Sequence, residues 1–590
     1  MSGVLLLGDW EWHPRLGQWS LHCRLIVEQP GLGIPRDSDW HILVATHYPW
    51  GSIAVHPARE GGIQCTYAHQ GYNGWESADG SWRSGPLCLS TTVRALGRSG
   101  LDTEPYVAEE RLRWHIERAQ LWLAAAASGS LTLPGEPFEL PQFPVCQKEV
   151  FAFSESSASF PFWNDRGARA GLVESLPWKR GERFFIARRF RDLRGRAIYA
   201  PAWGDSIKQS QIPLETGLWI RLDALPVLMP WQAPATWGEL RLACRHQDID
   251  LDALLQQVVP HAREGKPLLL CIGFPIPANV GGCPVQIHWQ AVLLPPLTKK
   301  GTAVRGFRPS EAASWHYDRR HALRENAPLR WLNSENWHMD EITARGRLPE
   351  SVAARDVLLI GAGALGAPVA RLLIRAGVRS LVVVDEDVLR IGNLTRHTLD
   401  SDHLSLPKAD SLAVEFRKLS PHVHIHSIQA TFPNLNPDDR ARIARCDLIL
   451  DCTGEDAVAA ALAEFCWEAE RAVIVSLSLG MEAQQLFCYS AQASAFTEAD
   501  FHRQMAPWLA RQAEAYRDSD LPRDGIGCWH PVFPARADDV WLLAATAIKE
   551  IERVLSGKAI AGGLTVFEQT FETDGFFAGI RRRQAASDAS

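Results

Sequence analysis

The stretch from Asp356 to Gly377, DVLLIGAGALGAPVARLLIRAG, limits the fold of this 590-residue chain more than any other. DVLLI is apolar almost throughout, the pattern of a strand buried on both faces, and Gly361, Gly363 and Gly366 follow it at once. APVARLLIRA then puts apolar residues at helical spacing. Strand, tight turn and helix in that order open a βαβ unit, so a parallel sheet with crossover helices is expected from about residue 355 onward. The glycines allow close backbone approach, and the amides at the helix start can hold a phosphate. A second strand, SLVVVD, ends at Asp385, about 20 residues beyond Gly366, where a carboxylate meets a ribose hydroxyl.

NAD and ATP satisfy that much equally well, because both carry an adenosine ribose. The residues after the second strand separate them. DEDVLRIGNLTRH and LPKADSLAVEFRKLSP bring Asp385, Asp387, Asn393, Arg396 and Lys408 into one segment. Hydride transfer has no particular use for a fixed Arg and Lys there, whereas attack on an α-phosphate creates charge that cations stabilise. Singly, Arg396 and Lys408 read as solvated surface; their joint spacing with Asn393 favours ATP.

These four ordered motifs resemble the ThiF/MoeB/HesA superfamily, which includes the ubiquitin-activating enzymes: GxGxxG at Gly361–Gly366, D-x-D at Asp385 and Asp387, NLTR at 393–396, and PKADSLA around Lys408. The resemblance covers roughly residues 335–570. It implies a Rossmann-like adenylation domain that uses ATP and Mg2+ to adenylate the C-terminal carboxylate of a protein. Arg396 and Lys408 would lie on the phosphates and Asp385 on the ribose. It also implies a homodimer. The sequence departs from the family in LDCTGEDAV, where Gly454 takes the place of the usual magnesium-binding acid, so Asp451 or Asp456 is expected to hold the metal, with Asp451 preferred. The C-x-x-C knuckles of sulfur-carrier enzymes are absent, and a zinc site built from two of them is excluded.

Cys528 stands in LPRDGIGCWHPVFPARADDVW, a loop rich in Gly and Pro. A thiolate there can attack an acyl-adenylate and form a thioester. The ubiquitin-activating enzymes carry their nucleophilic cysteine in the segment that crosses this site. Cys446, Cys452, Cys466 and Cys488 lie in apolar patterns and are expected in the core.

At the other end of the chain, YPWGSIAVHP, YAHQGYNG and WRSGPLCLSTT resemble the ubiquitin-conjugating fold over about residues 10–130. On that mapping Tyr48 and Pro49 begin the motif and Cys88 is the acceptor thiol. HQGYN replaces the usual H-P-N, with His69 or Asn73 as candidate partner. The alternating runs from Gln18 to Pro57 read as an antiparallel meander, and Leu112, Ile116, Ala119 and Leu123 share one helix face. The combination is similar to the fused ubiquitin-transferase-like enzymes of bacterial CBASS anti-phage operons. In those the activated protein is a cGAS-like nucleotidyltransferase that is joined to a target amine.

Length suggests about three or four domains. The expected division is a conjugating-like α+β domain at 1–130, a proline-rich linker at 131–150, a mixed middle domain at 151–340, and the α/β adenylation domain at 341–590. The middle is rich in Trp and Pro, with strands expected in PLLLCIGFPIP and PVQIHWQAVLLPP and its tryptophans in the core. A net charge of −7 gives no basic field for nucleic acid, and no apolar run is long enough for a membrane span. Twelve scattered cysteines suit a reducing cytoplasm. The rival expectations are a bacterial ubiquitin-like modifier or sulfur carrier as the activated protein and, in another class, an NAD-dependent oxidoreductase.

Overall fold

The computed structural model describes all residues except 1–2, 79, 90–103, 106, 166, 179–182, 305, 524–531, 558–561 and 584–590. The chain divides into two compact units, Met1–Pro201 with Ile212–His338, and Ala202–Gln211 with Met339–Ser590.

In the first unit, β1 (Val4–Leu6), β2 (Glu11–His13), β3 (Gln18–Ile26), β4 (Asp37–Ala45) and β5 (Ile53–Pro57) form an antiparallel sheet. The meander expected over Gln18–Pro57 is β3–β4–β5. Helix Ala108–Ser128 lays Ile116, Ala119, Trp122 and Leu123 on Leu21, Leu25, Trp40 and Ile42 of the sheet. It ends where Gly129 adopts φ 75°, a left-handed cap that side-chain-bearing residues resist.

The proline-rich segment that follows is docked: Gly135 N–H donates to the Val280 carbonyl at 2.9 Å and Val280 N–H to that of Glu136 at 2.8 Å. Beyond it run β6 (Val145–Phe153), β7 (Ala170–Pro177), β8 (Phe184–Arg191), β9 (Ala197–Tyr199), β10 (Glu215–Arg221), β11 (Leu268–Pro277), β12 (Pro284–Leu294) and β13 (Trp331–Asn336). They pair in the order β6-β13-β12-β11-β10-β7-β8-β9, and β6 also pairs with β8, so the sheet closes on itself. Alternate residues of β11 face opposite sides: Leu269 and Cys271 join Trp163, Trp219 and Trp289 in one core, and Leu268, Leu270 and Ile272 join the helices Trp237–Arg245 and Leu251–Val258 in another.

The second unit is doubly wound. Its sheet, in spatial order, is β16 (His424–Ile428), β15 (Ser380–Val384), β14 (Asp356–Ile360), β17 (Leu448–Asp451), β18 (Val473–Leu479), β19 (Gln485–Gln492), β20 (Gly563–Phe571) and β21 (Phe577–Arg583). The five strands from β16 to β18 are parallel and the last three antiparallel. The chain runs outward from β14 to β16 and then returns to β17 on the other side of β14, so the strand order reverses between β14 and β17. Open α/β sheets bind ligands at the carboxyl ends of the strands beside such a reversal.

Candidate functional site

The glycine turn leaves β14 at that reversal. Gly361 has φ +87°, and a Cβ on it would fall 2.9 Å from the Thr453 side chain and 3.0 Å from the Cys452 backbone. A Cβ on Gly366 would fall 2.0 Å from the Gly361 carbonyl oxygen. Both glycines are therefore required by the fold. Gly363 is different: a Cβ there meets nothing within 4 Å, and its φ lies outside the left-handed region. Neither packing nor backbone strain asks for glycine at 363, whereas a phosphate approaching the main chain does.

Asp385 follows β15 and braces the turn: Oδ2 accepts from Ala362 N–H at 2.7 Å and Oδ1 from Asp387 N–H at 2.8 Å. Burial pushes its carboxyl above the usual range despite those bonds and the nearby Lys408. Lys408, at the start of helix Lys408–Arg417, is only 8% exposed and its Nζ lies 2.7 Å from Asp387 Oδ2. Asn393 serves its own turn, accepting from Arg390 N–H at 3.0 Å. Arg396 donates through Nη1 to the Phe533 carbonyl, and burial lowers its pKa.

A cavity of about 450 Å³ opens beside the turn, lined by Gly363, Asp451, Gly454, Asp456, Ser478 and Phe533 among others. Asp451 ends β17 and is 2% exposed. Its Oδ1 accepts from Thr453 Oγ1 at 2.7 Å and from Thr453 N–H at 3.1 Å, and its Oδ2 from Ser476 Oγ at 2.8 Å. Burial pushes this carboxyl up, and among the described residues no cation pairs with it. Asp456, on the same cavity, has a largely exposed side chain. No group of three or more His, Cys, Asp or Glu side chains arranged for a metal occurs among the described residues.

Cys528 lies outside the described residues, but the chain on either side is placed. Val532 N–H donates to the Pro522 carbonyl at 2.7 Å. Phe533, whose carbonyl Arg396 holds, is five residues further along the chain than Cys528 and lines the cavity.

Cys88 is exposed. Its N–H donates to the His69 carbonyl at 2.9 Å, because HQGYN runs antiparallel to GPLC, with Gln70 opposite Leu87. The His69 ring pairs with Glu139 at 2.8 Å, a hydrogen bond that raises its pKa. Asn73 is wholly buried and its amide donates to the carbonyls of Ile63 at 2.9 Å and Cys65 at 3.0 Å, so of the two candidate partners only His69 is bonded to Cys88.

Cys446 and Cys488 are buried as expected, with the Cys446 thiol pushed up to about 12 by burial. Two cysteines correct that expectation. Cys466 is exposed, because helix Asp456–Glu464 ends before it and the extended Phe465 turns inward in its place. Cys452 is only partly buried, on the cavity wall.

Residues 129–337 match the Cap2 central linker domain, and residues 338–516 match the ThiF family. The ATP-dependent ubiquitin transferase-like protein Cap2 of Enterobacter hormaechei subsp. hoffmannii is 35% identical over 552 residues, 91% of this chain and 90% of that one. This chain belongs to the Cap2 family. It is accordingly an ATP-dependent enzyme of the ubiquitin-activating type, with a Rossmann-like ThiF domain toward its C-terminus, and the expectation of a nicotinamide oxidoreductase is set aside. Shorter matches fall in line with this. The molybdopterin-synthase adenylyltransferase of Escherichia coli K12 is 33% identical over 136 residues, 23% of this chain and 54% of that one. The SAMP-activating enzyme E1 of Haloferax volcanii is 36% identical over 118 residues, 20% and 42% of the two chains. No described helix is long and apolar enough to cross a membrane.

One residue of this Cap2-family site is not singled out by the sequence motifs. His397 directly follows the NLTR motif, and its Nε2 lies 2.7 Å from the Ala362 carbonyl inside the glycine turn, while Nδ1 accepts from Leu399 N–H at 3.1 Å. Its place next to Arg396 was the available signal; the contact itself is tertiary.

Proposed function

We propose that this enzyme adenylates the C-terminal carboxylate of a protein, captures the acyl group at Cys528, passes it to Cys88 and joins it to an amine. The activated protein in this reading is a cGAS-like nucleotidyltransferase. The observation that carries it is the open glycine at 363 beside the reversal of strand order, with the buried Lys408 ammonium on the neighbouring segment. A carboxylate oxygen attacks the α-phosphorus of ATP and pyrophosphate leaves. The Cys528 thiolate then attacks the acyl carbon and AMP leaves. Exchange with the Cys88 thiolate frees Cys528, and attack by the amine frees Cys88 as the amide forms.

The chain's own groups support each part. Gly361, Gly363 and Gly366 shape an amide-lined turn for the phosphates, Asp385 fixes that turn and faces the ribose, and Asp387 with Asn393 holds the Lys408 and Arg396 segment in register. Lys408 and Arg396 supply positive charge where negative charge develops. Asp451 fits Mg2+ as a buried carboxylate with no cationic partner among the described residues, whose charged form a divalent ion would stabilise, with Asp456 on the same cavity. A homodimer through the second unit is part of the reading, supported by Phe571, Phe576 and Phe577, which are exposed at the β20–β21 hairpin.

The test is exchange of labelled pyrophosphate into ATP with the cGAS-like protein supplied intact or shorn of its last residues. Exchange with the intact protein alone is expected, reduced on the order of 10²-fold or more by Lys408→Ala. Exchange driven instead by a small ubiquitin-like protein would replace the proposed substrate, and the absence of exchange with either would overturn the reading.

A further inference from the structure

The middle segment holds a second cavity, of about 960 Å³, lined by residues of the helices Trp237–Arg245, Leu251–Val258 and Glu311–His321. Acids and arginines both line it, so its charge count decides nothing and its hydrogen-bond capacity decides what it can hold. Asp252 is fully engaged: one oxygen accepts from Arg241 Nε at 2.9 Å and the other lies 2.9 Å from Arg319 Nε. Asp250 caps the helix Leu251–Val258, accepting from Ala253 N–H at 3.1 Å. Asp248 and Glu325 are exposed to water.

The arginines are not matched in the same way. The Arg241 side chain is 9% exposed, and its Nη2 is buried with no acceptor among the described residues. An atom so enclosed is out of reach of a ligand in the cavity, and Asp252 engages the same guanidinium through Nε. Arg245 and Arg320 line the same cavity, and neither makes an ion pair among the described residues. Trp315 contributes an aromatic wall. Two guanidinium groups with donors to spare suit a tetrahedral oxyanion with several acceptors, and the volume is that of a small-molecule site rather than of a lone ion.

We propose that this cavity binds a phosphate-bearing small molecule, a nucleotide or an oligophosphate, at a site separate from the adenylation centre, with Arg245 and Arg320 as its donors. The site does not depend on the acyl-transfer reading above.

Equilibrium dialysis of the full chain against inorganic phosphate, pyrophosphate and AMP tests it, using wild type, Lys408→Ala and the double variant Arg245→Gln/Arg320→Gln. Both substituted arginines are exposed, and an unchanged melting temperature checks that the double variant folds; each single variant is measured beside it. Lys408→Ala is expected to retain binding of at least one probe, and the double variant to bind that probe at least about tenfold more weakly than wild type, the effect of losing one charge-assisted hydrogen bond or more. AMP binding tighter than pyrophosphate identifies a nucleotide, and equal or weaker AMP binding identifies a free oligophosphate; both support the site. Loss of all binding in Lys408→Ala, or equal binding by wild type and the arginine variants, overturns it.

Discussion

His397 Nε2 lies 2.7 Å from the carbonyl oxygen of Ala362, and so ties the segment that carries Arg396 to the inside of the glycine turn. Because Nδ1 accepts from Leu399 N–H, Nε2 carries the ring proton and donates. Burial lowers the ring's pKa, which keeps the imidazole neutral. His397 is a positioning residue: it braces the turn that the proposed reading assigns to the phosphates. His397→Ala should raise KM for ATP about fivefold, the worth of one neutral hydrogen bond, with a smaller change in kcat. His397→Gln, which keeps a donor, should recover part of the loss. Equal loss of kcat with KM unchanged would assign His397 to the chemical step instead.

Lys408 is buried and held at 2.7 Å by Asp387, so its charge is fixed in place before any ligand arrives. Asp387→Asn removes the partner and leaves the ammonium; Lys408→Arg keeps charge but changes shape, and the two cations are not interchangeable at a fitted site. Pyrophosphate exchange should therefore fall less in Asp387→Asn than in Lys408→Ala, and Lys408→Arg should restore less than a tenth of the activity that Lys408→Ala loses, about 10²-fold. Full rescue by arginine would mean that any cation near the phosphates suffices.

The strand, turn and helix of Asp356–Gly377 were legible because every interaction that defines them is local, and the meander of β3–β5 because alternation is a local period. The α/β fold class followed from them. The closing of the middle sheet was not legible: β6 meets both β13 and β8, and no period in the text records that pairing. Nor was the segment Ala202–Gln211, which leaves the middle of the sequence to join the second unit. There Asp205 accepts from Ile425 N–H at 2.8 Å and pairs with His424 at 2.9 Å, across about 220 residues of chain, and so covers the open edge of β16. At the candidate site, residue types and spacing pointed to the glycines, Asp385 and Lys408, and Asp385 indeed lies against the turn while Lys408 pairs with Asp387. They could not show that Asn73 would be committed to the carbonyls of Ile63 and Cys65, since that depends on a loop packing against another loop.

Glu155 should make the stability of the middle segment depend on pH. It is 1% exposed, and its carboxyl accepts from Ser159 Oγ at 2.5 Å and from the indole N–H groups of Trp163 at 2.9 Å and Trp289 at 3.0 Å. Burial nevertheless pushes its pKa from 4.5 up to about 7. An acid whose pKa is raised by folding favours the folded state while protonated, and that advantage is lost as pH rises from the unfolded value through the folded one. Between about pH 4.5 and 7 wild type should lose on the order of 3 kcal/mol from this group, at 1.36 kcal/mol per unit. Glu155→Gln cannot ionise, so the difference in melting temperature between wild type and Glu155→Gln should shift in favour of the variant across that window. A difference constant with pH would show that the Glu155 carboxyl is charged throughout.

The two thiols make the last prediction, and it separates three steps with an exchange assay and one gel. Adenylation needs no thiol, so Cys528→Ala should keep pyrophosphate exchange and lose the first thioester. Cys88 stands exposed beside His69, with its N–H on the His69 carbonyl, an accessible place for a thiolate to take the acyl group from Cys528 by exchange between thioesters of similar energy. Cys88→Ser replaces that thioester by an ester, which is more stable toward amines and thiols. In Cys88→Ser the activated protein should therefore accumulate as an adduct that resists reducing agent, or stop at Cys528, and in either case the amide product should fall to background. Wild type should instead show adducts that reducing agent removes and a product that it does not. Should Cys88→Ser form the amide as fast as wild type, Cys88 is not on the route and the first sheet and its helix serve only to dock the target; should Cys528→Ala still charge Cys88, transfer runs directly from the adenylate.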